Sequence, residues 1–154
     1  GTMKIKKILC PVDFSGSCNL AVKYAKELAL LFNSRLYLLH VVEHLHGDKH
    51  YMILQITPQE IAEKMKKEAE ERLNSIAKKI KNVPKIKKEV REGKAFVEII
   101  KTARKDDIDL IIMGSHGRTG LSHVLIGSVA ERVVRKAPCP VLIVKDKHTK
   151  FEMP

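Results

Sequence analysis

Met113-Gly-Ser-His-Gly-Arg-Thr-Gly-Leu-Ser-His-Val-Leu-Ile-Gly-Ser-Val129 stands between two segments of different periodicity. Before it runs Ile108 to Met113, apolar except for Asp109, which reads as a buried strand too short for a helix. After it, Val129, Ala130, Val133 and Val134 share one face of a predicted helix reaching Lys136. The connection carries glycines as Gly114-x2-Gly117-x9-Gly127, with Ser128 directly after the last. A glycine-rich passage from a strand's carboxyl end to a helix start suits an anion. Glycine permits close backbone approach and positive φ, and the first N–H groups of the helix lack intrahelical partners. Ser128 and Glu131 form a Ser-x-x-Glu capping box, which predicts that Ser128 caps the helix. The plainer alternative is an ordinary connection. Three of the chain's eight glycines fall in this one pattern, and that concentration favours a phosphate site.

The remaining chain repeats the same alternation. Ile5 to Val12 is a predicted central strand, and Asp13-Phe-Ser-Gly-Ser17 a turn with Ser17 as helix cap. Ala21, Val22, Ala25, Leu28, Ala29 and Phe32 then recur at helical spacing, and Arg35 to Val42 is a second strand. Residues 43–56 are irregular and hold His44, His46 and His50, with His40 on the strand before them. A mobile lid is the stronger reading there and a metal site the weaker, since no cysteine accompanies the imidazoles. Thr57-Pro-Gln-Glu60 starts a long helix whose stripe Ile61, Met65, Ala69, Leu73, Ile76 and Ile80 faces the core, its charged back facing solvent. Lys85 to Arg91 reads as an edge strand, Ala95 to Arg104 as a helix, and Val141 to Val144 as a fifth strand. The order β-α-β-α-β-α-β-α-β predicts one α/β domain: an open parallel five-stranded sheet with helices on both faces. In such sheets ligands bind beyond the strands' carboxyl ends, where the strand order reverses.

The glycine pattern, Asp109-Leu-Ile-Ile-Met113 before it, Val129-Ala-Glu-Arg-Val-Val-Arg-Lys-Ala-Pro-Cys-Pro-Val-Leu-Ile-Val144 after it, and Ile8-Leu-Cys-Pro-Val-Asp-Phe-Ser15 resemble the universal stress protein family. The Gly-x2-Gly-x9-Gly-Ser form is similar to its ATP-binding branch. The resemblance covers Met3 to Lys145. It implies strand order 3-2-1-4-5 in a Rossmann-like, adenine-nucleotide α-hydrolase-like fold, and so makes the first and fourth strands neighbours. It implies that Gly114 and Gly117 lie along ribose and phosphates, and that Gly127, Ser128 and Val129 offer N–H groups to the phosphate chain. Asp13 would reach the ribose hydroxyls or a nucleotide-bound Mg²⁺, its plainer role being a helix-capping carboxylate. Val12 and Val41 would border adenine, Pro11 and Met113 would shape the wall, and Arg118 would meet a terminal phosphate. The implied ligand is ATP, or AMP or ADP, and the implied assembly a homodimer through Val141–Val144. A dinucleotide Gly-x-Gly-x-x-Gly in the first turn and a P-loop Gly-x4-Gly-Lys-Ser/Thr are both absent from the sequence.

Composition bounds the rest. The chain of 154 residues has room for one domain, residues 3–145. Gly1 and Thr2 read as a scar of tag removal, and residues 146–154 as a polar tail. No apolar run has membrane length, which predicts a soluble cytoplasmic protein. Cys10, Cys18 and Cys139 form no Cys-x-x-Cys pair and suit a reducing compartment. Cys10 and Cys139 fall in predicted strands, and Cys18 in a helix's first turn, where the dipole could lower its pKa. All three are expected to pack as small hydrophobes. The net charge of +11 is spread among glutamates on helix faces, and tryptophan is absent, so nucleic acid is the weaker partner. His116 and His123 have no nucleophile or carboxylate partner evident in sequence, so the site is expected to hold rather than cut. The leading expectation is a nucleotide-dependent switch in stress response with an unidentified protein partner. A slow metal-dependent ATPase or nucleotidyl-transfer enzyme is the alternative, and a nucleic-acid-associated basic protein the third.

Overall fold

The computed structural model describes residues 3–43, 56–116 and 126–145. Its elements are β1 (Lys7–Pro11), α1 (Gly16–Phe32), β2 (Arg35–Val42), α2 (Pro58–Lys79), β3 (Ile86–Glu92), α3 (Ala95–Lys105), β4 (Leu110–Gly114), α4 (Ser128–Lys136) and β5 (Val141–Val144). All strand pairs are parallel, in the order β3-β2-β1-β4-β5. β1 therefore sits centrally between β2 and β4, the order that the resemblance implied.

Both faces of the sheet are covered, which is why its central strands read as continuous apolar runs. Ile8, Cys10, Val12, Leu36, Leu38 and Ile112 pack with α1 and α2. Leu9, Tyr37, Leu39, Ile111 and Met113 pack with α3 and α4 on the opposite face. The strict alternation of neighbours between the two cores follows from the strand's twofold side-chain period.

Local signals set most boundaries. Thr57 accepts from Glu60 N at 3.2 Å, with Pro58 in the first turn. Asn33 closes α1 in the left-handed conformation, φ 54°, its N–H reaching Ala29 O. Asp109 accepts from the N–H groups of Lys6 and Lys7 at 2.9 and 3.0 Å, tying the start of β1 to the approach of β4.

Several expectations are corrected. Ser15, not Ser17, caps α1, accepting from Cys18 N at 3.3 Å. Gly127, not Ser128, is the N-cap of α4, extended at φ −72°, ψ 161°, and Ser128 is already helical. The capping box cannot form from inside the helix, and the Glu131 carboxylate instead accepts from Arg135 Nη2 at 2.6 Å. Val134 points away from the core and is exposed, and Cys139 lies in the bend before β5 rather than in a strand. α2 ends at Lys79 because Ile80 turns extended. Ile108 stays buried yet precedes β4, which begins at Leu110.

Candidate functional site

The carboxyl ends of the strands open into a cleft of about 620 Å³ at the point where chain leaving β1 and chain leaving β4 diverge. Pro11, Val12, Asp13, Val41, Met113, Gly114, Gly127, Ser128 and Val129 all line it. Gly117, Arg118, His123, His44, His46 and His50 lie outside the described residues. Among the described residues no cluster of three or more His, Cys, Asp or Glu could hold a metal ion.

The β1 side is fixed by side chains. Asp13 Oδ1 accepts from Ser15 N at 2.9 Å and from Ser15 Oγ at 2.5 Å. Ser15 Oγ in turn accepts from Cys18 N, so the carboxylate is aimed through the cap of α1. Phe14 between them adopts φ 65°, a left-handed conformation that costs a bulky residue roughly 1–3 kcal/mol. The surroundings hold it there. Its ring stacks on His40 at 4.3 Å between centroids and 29° between planes, and the Arg72 guanidinium lies over it at 4.1 Å. His40 Nδ1 donates to Val12 O at 2.6 Å, which sets the tautomer.

The β4 side is fixed by backbone. Ser115, buried, sends its N–H to Val144 O at 3.1 Å, and its carbonyl accepts from Gly127 N–H. The two ends of the glycine loop are thereby sewn together. Glycine at 114 is demanded by packing: a Cβ there would stand 2.5 Å from Ser17 Oγ and 3.1 Å from the Ser17 carbonyl oxygen. Neither Gly114 nor Gly127 has a positive φ, so the conformational freedom expected of the motif is not what these two supply.

Two helices present their amino ends here, through Ala95 of α3 and Ser128 of α4. Both lack a side-chain bond from their own N-cap, Lys94 and Gly127. On α3 the Glu43 carboxylate fills the gap, accepting from Ala95 N at 2.9 Å. On α4 no side-chain oxygen among the described residues accepts from the first turn.

Sequence reading missed Phe14, His40 as a stacking partner, Glu43, Ser115, and the α2 residues Met65, Glu68 and Arg72. Met65 belongs to the apolar stripe, and Glu68 and Arg72 stand beside it and remain exposed. They line the cleft. The thiols behave as packing groups. Burial, stronger than the opposing backbone hydrogen bond of Phe14, pushes Cys18 up, against the helix-dipole expectation. Burial, then the nearby Cys18, pushes Cys10 up as well.

A model of the universal stress protein family matches residues 4–145. Universal stress protein MJ0577 of Methanocaldococcus jannaschii is 35% identical over 157 residues, covering 94% of this chain and 97% of that protein. Universal stress protein MJ0531 of the same organism is 38% identical over 146 residues, covering 91% and 82%. The solved structure of MJ0577 superposes with a TM-score of 0.82 at 36% identity, over 95% of this chain and 99% of that one. A universal stress protein in complex with cAMP shares the fold at a TM-score of 0.64 and 23% identity, over 96% and 100%.

Proposed function

The chain belongs to the universal stress protein family, and from that premise we propose that its cleft binds an adenine nucleotide, ATP first, as a cytoplasmic nucleotide-dependent switch in stress response. The carrying observation is the amino end of α4, which opens on the cleft and, among the described residues, has no side-chain cap on its first N–H groups. Peptide N–H groups at such an end, with the helix dipole behind them, attract a phosphate. Gly127, Ser128 and Val129 supply those groups in this reading, with Gly114, Gly117 and Arg118 along the phosphates. Val12 and Val41 border adenine, and Pro11 and Met113 shape the wall. Asp13 faces the ribose or a Mg²⁺ carried in by the nucleotide. The two Ser15 bonds hold one oxygen of that carboxylate in place at the cleft.

Equilibrium dialysis against ATP, AMP and cAMP, with mass spectrometry of the nucleotide that co-purifies, tests the reading. Saturable binding of one adenine nucleotide per chain, lost when Gly127 is replaced by tryptophan, is expected. Binding unaffected by that replacement would refute the α4 cradle.

The assembly proposed is a homodimer through β5. That edge strand carries exposed Leu142, with exposed Val134 on the helix before it, whereas the opposite edge, β3, shows Lys87 and Lys88. Charged edges resist pairing and apolar ones invite it. Sedimentation of wild type and Leu142→Lys should give dimer and monomer; equal masses would refute this interface.

A further inference from the structure

The cleft lies beyond the carboxyl ends of the strands, and the opposite end of the molecule carries a surface that the nucleotide reading does not use. Because all strand pairs are parallel, each helix runs back and finishes at the strands' amino ends. α2, α3 and α4 each place two basic residues in their last turn, where the helix dipole favours a cation. α1 places none there and ends instead in Leu30-Leu-Phe32, ahead of the left-handed Asn33. Leu31 is 74% exposed and Met3, on the approach to β1, is 88% exposed. No other large hydrophobic side chain among the described residues is as open to solvent.

Hydrogen bonds stitch these segments side by side. Ser34 Oγ donates to Ile5 O, and Arg35 N to Lys6 O at 2.8 Å, joining the end of α1 to the approach to β1. Leu36 N donates to Lys85 O at 2.9 Å and adds the approach to β3. Lys4, Lys6, Arg35 and Lys85 are exposed at these strand starts, and none has a carboxylate partner among the described residues. The acidic groups nearby are Glu27, one turn before Leu31, and Asp106, Asp107 and Asp109 in the turn before β4. Asp109 is already engaged by Lys6 N and Lys7 N. The result is an apolar tip among cations. A bilayer with anionic lipid supplies both counterparts, since apolar side chains enter its headgroup boundary while Lys and Arg meet its negative surface potential. Nucleic acid would use the cations and leave Leu31 and Met3 in water.

We propose that this amino-end face, with Met3, Leu31 and Phe32 among Lys4, Lys6, Arg35 and Lys85, docks on an anionic membrane surface. Among the described residues no helix is long and apolar enough to cross a membrane, so the contact is interfacial. The face stands at the far end of the strands from the cleft and does not depend on the nucleotide reading.

The test is co-sedimentation of the full chain with vesicles of phosphatidylcholine alone, and of phosphatidylcholine and phosphatidylserine in equal parts. Binding is expected on the mixed vesicles and not on the neutral ones, weakening as salt is raised. Leu31→Gln removes no charge and should weaken binding about tenfold or more, the scale of returning one leucine to water. Lys4→Gln combined with Lys85→Gln should weaken it about fivefold for each charge removed. These side chains are exposed, so all variants should melt as wild type does. Equal binding to both vesicles, binding to neither, or binding to the mixed vesicles unmoved by Leu31→Gln would each overturn the proposal. Duplex DNA that displaces the vesicles and holds Leu31→Gln as tightly as wild type would overturn it in favour of a nucleic-acid face.

Discussion

The amino ends of α3 and α4 open on one cleft and begin alike, each with an N-cap whose side chain bonds nothing in the first turn. They differ in a single carboxylate. Glu43 reaches from the end of β2 to Ala95 N, so α3 already holds its anion; α4 holds none among the described residues. The other described helices follow α3's pattern, with Ser15 on α1 and Thr57 on α2. A helix start that the protein caps for itself is structural. The α4 start, with no side-chain acceptor on it among the described residues, is the one that the proposed phosphate would use.

The contrast can be broken from either side. The largest effect is expected from Gly114→Val, because its Cβ would collide with the Ser17 backbone as well as the Ser17 hydroxyl. Overpacking of this kind costs about 1–3 kcal/mol or more. Urea denaturation should show that loss, with nucleotide affinity falling as the β4 exit shifts. Gly127→Asp is the sharper test. Asp is at home at an extended N-cap, so melting should show stability unchanged or raised by a few tenths of a kcal/mol. The added carboxylate would then do for α4 what Glu43 does for α3, and nucleotide affinity by calorimetry should drop about tenfold or more, on the scale of a charged hydrogen bond. A variant that binds as wild type would end the analogy.

Glu43→Ala works in the opposite direction. It should cost about 1 kcal/mol, the usual worth of a cap, and raise amide exchange in the first turn of α3. Ser15→Ala should cost about the same, since it removes the α1 cap and the hydroxyl that donates to Asp13 together. The smallest effect concerns chemistry. Burial holds the thiols of Cys10 and Cys18 above their ordinary pKa, so both should react slowly with a thiol reagent at neutral pH in the native state and quickly once unfolded.

Much of this could be read from residues in a row. Thr57-Pro-Gln-Glu60 announced α2 because a cap is a contact across three residues. The loop from Gly114 to Gly127 could be placed because a run of apolar residues ends where it starts. The two cap misreadings share a cause. Ser17 and Ser128 carry the right side chain for a cap, yet which residue caps depends on where the backbone turns helical. At Gly114 the cause was different: the steric demand comes from Ser17, nearly a hundred residues away in sequence. Glu68 and Arg72 are exposed, as charges on that helix are expected to be, but helical periodicity does not tell that a cleft stands opposite them.

The sequence by itself determined the alternation of strands and helices, the parallel sheet buried on both faces, and the two strand tips that the site would use. These follow from periodicity and turn chemistry, which act over a few residues. Only the tertiary structure decided which helix amino end is filled and which is open. It alone stacked Phe14 between His40 and Arg72 at the cleft. Those features rest on contacts between residues far apart in the chain, whose distances no local pattern encodes.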